Sequence, residues 1–171
     1  NPIGVRSCYD EGKRMAESLS FDFLRTFNLE IRVVRIFNTY GPRMSQKDGR
    51  VVSNLICQSL KNQPLTIYGD GTQTRSFCYV SDLVNGFIKF MESEENGPIN
   101  LGNPDEHSIL EFAQIIKNKI NPNLEIKNFP LPKDDPSKRK PNIDFAKNLL
   151  NWDPLIQLDK GLDFTIEYFK N

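Results

Sequence analysis

The chain has 171 residues with 22 basic and 22 acidic side chains, so its formal net charge is zero, and its 38% hydrophobic and 26% charged shares are those of a folded globular protein. That length suits one domain of ordinary size, and zero net charge argues against nucleic acid or an anionic membrane surface, both of which require a basic excess. Three cysteines at long, irregular spacings and a single histidine make neither a disulfide framework nor a metal constellation, which points to a reducing, cytoplasmic compartment.

Helical and strand-like segments alternate, predicting an α/β or α+β layer structure. From Ser7 to Asn28, Ala16, Leu19, Phe23 and Phe27 recur at helical spacing and mark one amphipathic stripe. Ile31 to Phe37 reads as a buried strand rich in Val and Ile, despite Arg32 and Arg35. Gly41-Pro42 breaks that pattern, and Arg43 to Arg50 is a polar loop. A helix over Val51 to Leu60 and a strand over Leu65 to Tyr68 follow, then turn chemistry at Gly69-Asp70-Gly71.

Ser81-Asp82 can cap a helix whose inner face carries Leu83, Val84, Phe87, Ile88 and Met91. Pro98 to Leu101 is a strand candidate. Ser108 with Glu111 forms a capping box for a helix running to Ile120. Phe129 to Pro141, with four prolines and many charges, reads as extended and exposed. Two terminal helices, Asp144 to Leu150 and Leu158 to Phe169, flank a corner at Trp152-Asp153-Pro154. No apolar run approaches the roughly 18 residues that cross a bilayer, and the opening Asn-Pro-Ile-Gly has no signal-peptide pattern.

Two features carry chemistry. Tyr9 and Lys13 lie four residues apart on one face of the first helix. An ammonium near a phenol favours the phenolate form, so such a pair can act as a general base, although a solvated helix face has the same spacing. Arg35, Arg43, Arg50, Arg75 and Arg139 form the second feature. The guanidinium fork matches phosphate oxygens, and loops at the carboxyl ends of strands are where open α/β sheets bind ligands. Any one of these arginines could equally be a surface ion-pair partner. His107 beside Asp105 and Glu106 reads as a surface histidine ahead of a helix cap, and Cys78 as a buried small hydrophobe. Gly69-Asp70-Gly71-Thr72 lacks the spacing and lysine of a phosphate loop.

Seven ordered blocks carry a resemblance. Tyr9-Asp10-Glu11-Gly12-Lys13-Arg14, Arg35-Ile36-Phe37-Asn38-Thr39-Tyr40-Gly41-Pro42-Arg43-Met44 and Asp48-Gly49-Arg50-Val51-Val52-Ser53-Asn54 closely resemble the UDP-glucuronate decarboxylases (UDP-xylose synthases), which are extended short-chain dehydrogenase/reductases. So do Gly69-Asp70-Gly71 with Thr74-Arg75-Ser76-Phe77, Tyr79-Val80-Ser81-Asp82-Leu83-Val84, Asn100-Leu101-Gly102-Asn103-Pro104 and Lys138-Arg139-Lys140-Pro141. The resemblance implies the C-terminal part of a Rossmann-type fold with a small α+β substrate-binding lobe. Residues 1–60 would end the Rossmann half with the Tyr-x-x-x-Lys helix. Residues 61–171 would form mainly the nucleotide-sugar lobe, with some segments returning to the Rossmann sheet.

What this family does is then expected here. Tyr9 would take the proton of the sugar 4-hydroxyl as hydride passes to NAD, and Lys13 would support Tyr9 and hold the nicotinamide ribose. The 4-keto acid so formed would lose carbon dioxide, and returned hydride would leave UDP-xylose. Arg139 would lie near the sugar carboxylate and diphosphate, Arg75 at the diphosphate, Asn38 on the nucleotide sugar, and Tyr68 beside the uracil. Thr39 and Arg50 would belong to the cofactor site. Phe23 replaces a tyrosine that contacts substrate in close relatives. The glycine-rich pyrophosphate loop does not occur in these residues, nor can the family's active-site Thr or Ser and Glu be assigned. The chain is therefore expected to be part of a longer homodimeric enzyme, lacking on the order of 150 residues and inactive alone. A nucleotide-sugar 4,6-dehydratase or 4-epimerase shares the first oxidation and is the alternative, as is a non-catalytic nucleotide-sugar-binding fragment.

Overall fold

A computed structural model describes residues 2–132 and 138–170. The elements run α1 (Ser7–Phe27), β1 (Val34–Ile36), β2 (Thr39–Tyr40), α2 (Val51–Leu60), β3 (Leu65–Tyr68), β4 (Thr74–Ser76), β5 (Cys78–Tyr79) and α3 (Val80–Met91). There follow β6 (Ile99–Leu101), β7 (Glu106–Ser108), α4 (Ile109–Ile120), β8 (Ile126–Phe129), β9 (Lys138–Arg139), α5 (Asp144–Leu150) and α6 (Leu158–Lys170). No helix among the described residues is long and apolar enough to cross a membrane.

The strands pair in small sheets. β1 runs parallel to β6 in the register Val34↔Ile99, β2 to β5 and β3 to β8. β4 is central in a three-stranded sheet, antiparallel to β7 and parallel to β9. The β1–α3–β6 crossover is the parallel βαβ unit expected of an α/β fold.

Two apolar clusters hold these pieces. Leu55 and Ile56 of α2, Leu65 and Ile67 of β3, Phe112 and Ile116 of α4, and Leu162 and Ile166 of α6 share the first, where Phe77 stacks on Phe112 at 4.3 Å. Leu83 and Phe90 of α3, Ile99 and Leu101 of β6, Ala146 and Leu150 of α5, and Trp152 share the second. Trp152 is the plug of its corner: its indole N–H donates to the Asp82 carbonyl at 2.9 Å. Cys78 is fully buried, and that burial pushes its thiol up to about 12.

Several expectations are corrected. The segment 31–37 is not a long buried strand: only Val34–Ile36 pairs, on one edge, and Ile36 is 57% exposed. α1 forms as expected and ends at Asn28 in the left-handed region, yet none of its residues is buried and its Leu19, Phe23 and Phe27 stripe faces outward. In α3, Leu83, Gly86 and Phe90 are buried, while Val84, Ile88 and Met91 are exposed. Apolar residues lie all round this helix, and Gly86 decides which face turns in. A Cβ there would meet Leu101 and Trp152 at 3.0 Å, so the missing side chain lets both pack against the helix backbone.

Ser81-Asp82 does not cap α3 either, because the helix starts directly off β5 with Tyr79 as its N-cap residue. The buried Asp82 carboxylate instead accepts the backbone N–H groups of Leu155 and Ile156 at 3.0 and 2.8 Å. The capping box of α4 is present: Glu111 N–H donates to Ser108 Oγ and Ser108 N–H to the Glu111 carboxylate. The supposed extended run from 129 to 141 contains strand structure at both ends, β8 closing at Phe129 and β9 at Lys138–Arg139, and Pro141 is buried. Its residues 133–137 lie outside the described residues.

Candidate active site

One large cavity, about 1020 Å³, opens beyond the carboxyl ends of β1 and β3, where α/β sheets bind ligands. Its wall includes α1 through Tyr9, Lys13, Ala16, Glu17 and Ser20, the segment 32–39, and Arg50 at the start of α2. Tyr68, Gln73, Arg75, Phe77 and Arg139 line it from β3, β4, β9 and the segments between. The eight residues to which the resemblance gives a site role, Tyr9, Lys13, Asn38, Thr39, Arg50, Tyr68, Arg75 and Arg139, therefore border one space.

Local structure explains each position. Tyr9 and Lys13 stand one helical turn apart, with Lys13 Nζ 5.7 Å from the Tyr9 ring centroid. Asn38 follows β1, where its carbonyl accepts the Cys78 N–H at 2.8 Å. Thr39, which lines the cavity, donates its hydroxyl to the Phe37 carbonyl at 2.9 Å. Arg50 precedes α2, with its backbone N–H bonded to Asp48 Oδ1 at 3.0 Å and its Nε 3.7 Å from Asp48 Oδ2.

Tyr68 ends β3 opposite Phe129 of β8, the rings 6.2 Å apart and both about half exposed. Gln73 donates to the Tyr68 carbonyl at 2.7 Å and so fixes the turn beneath that ring. Gly69 and Gly71 give that turn its positive φ angles of 68° and 79°, and the Gly71 carbonyl accepts the Leu110 N–H at 3.0 Å.

Arg75 is 9% exposed and sits in mid-sheet, with His107 as register partner on one side and Arg139 on the other. Register partners share a face, so three cationic or protonatable side chains form a row across three strands. His107 is thus a half-buried strand residue, not the surface histidine expected. Glu106, next to it, accepts from Thr74 Oγ1 at 2.8 Å and lies 3.5 Å from both Lys138 and Lys140; the threonine bond first, and the two ammonium groups after it, hold its carboxyl below the usual range.

The charge of the wall is lopsided. Among the described lining residues, Lys13, Arg32, Arg35, Arg50, Arg75 and Arg139 are cationic, and Glu17 alone is acidic. A chain with zero net charge has gathered positive potential in one concavity, which selects an anionic ligand.

Not every sequence candidate is a cation open to this cavity. Arg35 is an ion-pair partner: its Nε and Nη2 donate to Glu17 at 2.8 and 2.6 Å. Arg43 does not border the cavity. Phe23 meets Phe27 in a tilted contact, ring centroids 5.2 Å apart, and is not part of the lining. Glu17 and Gln73 went unnoticed in the sequence. Glu17 had a signal, since it stands four residues beyond Lys13 on the same helix face.

Comparison with known proteins agrees with this geometry. UDP-glucuronic acid decarboxylase 4 of Arabidopsis thaliana is 56% identical over 170 residues, covering 99% of this chain and 38% of its own. UDP-glucuronic acid decarboxylase 3 of the same plant is also 56% identical, covering 99% of this chain and 50% of its own. Decarboxylase 1 of Danio rerio is 54% identical, with 99% of this chain and 40% of its own covered. The chain thus spans half or less of these relatives' length.

Among solved structures, an epimerase from Methanothermobacter thermautotrophicus superposes with a TM-score of 0.91 at 29% identity, over 98% of this chain and 51% of that one. UDP-glucuronic acid 4-epimerase of Bacillus cereus, solved with UDP-glucuronic acid and NAD, gives a TM-score of 0.83 at 31% identity, over 90% of this chain and 49% of that one. Residues 1–102 match the NAD dependent epimerase/dehydratase family, and with that match, the shared Rossmann-like fold and the cationic cavity behind the Tyr-x-x-x-Lys helix, the chain belongs to that family.

Proposed function

We propose that this chain supplies the base and the nucleotide-sugar site of an NAD-dependent UDP-glucuronate decarboxylase. One observation carries the reading: a cavity whose described wall has six cationic residues and one acidic residue, with Tyr9 and Lys13 on one wall and Arg75 and Arg139 on another. UDP-glucuronate has both a diphosphate and a carboxylate to place against such a wall. Identities of 54–56% to UDP-glucuronic acid decarboxylases support the substrate. We assign residues 1–60 to the cofactor-facing half and residues 61–171 mainly to the sugar-nucleotide lobe, with β6 returning to pair with β1.

The residues present fit the nicotinamide-ribose end of NAD. Tyr9 and Lys13 offer a phenol and an ammonium on one face, and Thr39 and Arg50 border the same space. When bound, NAD supplies the hydride acceptor at C4 and the donor that later restores C4. Tyr9 takes up the 4-hydroxyl proton as C4 becomes a ketone, and Lys13 holds the ribose and stabilises negative charge on the phenol oxygen. With a ketone β to it, the C6 carboxylate leaves as carbon dioxide, its bonding electrons passing into the enolate, and C5 takes a proton from water. Tyr9 returns its proton to the C4 oxygen when that carbon is reduced.

Arg139 and Arg75 grip the diphosphate, with Arg139 nearer the sugar carboxylate, and Asn38 bonds the nucleotide sugar through its amide. Tyr68, paired with Phe129, offers an aromatic surface to the uracil. The exposed Leu19, Phe23 and Phe27 of α1 support a homodimer built on that helix, and a monomer by light scattering would retire it. Three free thiols support a reducing, cytoplasmic compartment, which fractionation of cells would check.

Incubating the full-length protein with UDP-glucuronate and NAD tests the activity. Carbon dioxide and UDP-xylose are expected. A C4 epimer that retains its carboxylate makes the enzyme an epimerase, and no turnover leaves only a binding role.

A further inference from the structure

Glu17 stands on the cavity face of α1, four residues beyond Lys13 and eight beyond Tyr9, and receives both donors of the Arg35 guanidinium fork at 2.8 and 2.6 Å. Three serine hydroxyls of α1 bond locally: Ser7 donates to the Gly4 carbonyl, Ser18 to that of Arg14 and Ser20 to that of Ala16. The helix ion pairs Arg6–Asp10, Arg14–Glu11 and Arg25–Asp22 are likewise local. No residue of α1 is buried. Among the described residues, Glu17–Arg35 is a bidentate polar tie between this 21-residue helix and the sheet, its side chains 30% and 50% exposed.

We propose that the Glu17–Arg35 pair is a positioning clamp that fixes the rotation and slide of α1, and so decides where Tyr9 and Lys13 face the cavity. A point contact would leave the helix free to roll. A bidentate fork constrains two oxygens in one plane, which removes rotation as well as translation. Residues four apart share a face, so fixing Glu17 fixes Lys13 one turn away and Tyr9 two turns away. The far end of the fork is equally well held. Arg35 is in register with Asn100 on β1–β6, and Asn100 is anchored through its amide to the Asn142 carbonyl at 2.9 Å. The same strand leads three residues later into Asn38, so one rigid element references both the base and a sugar-binding amide. This inference rests on Tyr9 acting as the base.

The test uses the full-length protein with E17Q, R35M and the charge-swapped double variant E17R/R35E, in two arms. The first is amide hydrogen exchange across Lys13 to Leu24. Exchange about fivefold faster or more in E17Q and R35M is expected, because loss of the tie lowers the cost of local opening. Unchanged exchange overturns the clamp whatever the enzyme's activity. The second arm is steady-state kinetics with UDP-glucuronate, well below the unfolding temperature. A kcat lower by about ten- to hundredfold with KM within about threefold is expected for misplacement of a base by an ångström or so. E17R/R35E should recover at least about fivefold over the weaker single variant, since the fork is rebuilt in reverse. Faster exchange with unchanged kcat makes the pair an anchor only and overturns its positioning role. If the wild-type protein itself does not turn over UDP-glucuronate, the decarboxylase reading fails, and the exchange arm alone decides the clamp.

Discussion

Arg75 and Arg139 are register partners on the parallel strands β4 and β9, and both border the cavity. Neighbouring strands lie about 4.8 Å apart, so two guanidinium groups leave the backbone side by side. Like charges placed opposite one another destabilise a sheet. On the reading proposed above, a diphosphate is the anion that this pair would hold.

Replacing Arg139 with Met should weaken UDP binding by about ten- to hundredfold, the worth of a charge-assisted hydrogen bond of ~1.5–3 kcal/mol. Titration calorimetry of the full-length protein with UDP and with uridine separates the effects. The loss should appear for UDP and be small for uridine. Equal losses for both ligands would place Arg139 away from the phosphates. Arg75 is nearly buried, so Arg75→Lys is the gentler probe there, and it should keep the fold while losing the bidentate grip.

Tyr9→Phe should lower turnover by roughly two to four decades, the span of a lost general base, with little change in UDP affinity. The side chain is 61% exposed in this chain and its removal opens no core cavity. An unchanged rate takes Tyr9 out of the mechanism.

Trp152 and Gly86 should prove coupled in stability. Trp152→Ala removes a buried indole and its hydrogen bond to the Asp82 carbonyl, at a cost of about 3–5 kcal/mol. Gly86→Ala forces a methyl to within 3.0 Å of Leu101 and Trp152 and should cost about 1–3 kcal/mol. Urea unfolding of the single and double variants would show the alanine methyl tolerated better when the indole is gone. Additive losses would mean that Leu101 alone resists the methyl.

Glu106 gives the three-stranded sheet a pH dependence. Its folded value is depressed, chiefly by the Thr74 hydroxyl and then by Lys138 and Lys140. Its contribution is therefore full above the ordinary glutamate value of 4.5 and disappears as pH falls through the depressed one. Glu106→Gln should be less stable than the parent at neutral pH, and the gap should close in acid. A gap that persists at low pH would assign the effect to hydrogen-bond geometry rather than charge.

The three thiols should separate by reactivity. Cys8 is exposed, Cys57 half-buried and Cys78 fully buried; burial raises both Cys57 and Cys78, the latter to about 12. At pH 8 a disulfide reagent should modify Cys8 first, Cys57 slowly, and Cys78 only on unfolding. Early loss of Cys78 would mean that the second apolar cluster opens locally.

Elements with strong local signals were legible in the sequence. The capping box of Ser108 and Glu111, the α2 helix and the β3 strand need only neighbouring residues to define them. β2, β4, β5, β7 and β9 were not, because two- or three-residue strands contain no measurable alternation and exist through partners far along the chain. The inward face of α3 was misread since apolar residues surround the helix and a glycine, which has no hydropathy to speak of, selects the side. The site residues could be named because their motifs are ordered blocks. Glu17 was missed despite its spacing from Lys13, since its arginine partner comes from β1, 18 residues along the chain.

The strand pairings carry a kinetic consequence. Val34 meets Ile99, Leu65 meets Ile126, Arg75 meets both His107 and Arg139, and Thr39 meets Cys78. Each closes a loop of roughly 30 to 65 residues before any ladder bond is gained, and such contact order places folding at the slow end for its size. A nascent chain would thus make α1 to α4 before its large cavity, which takes shape only once the 138–139 strand has been synthesised and docked. In a cell, the arginine pair would be completed only after β9 has emerged, with α5 and α6 still to follow.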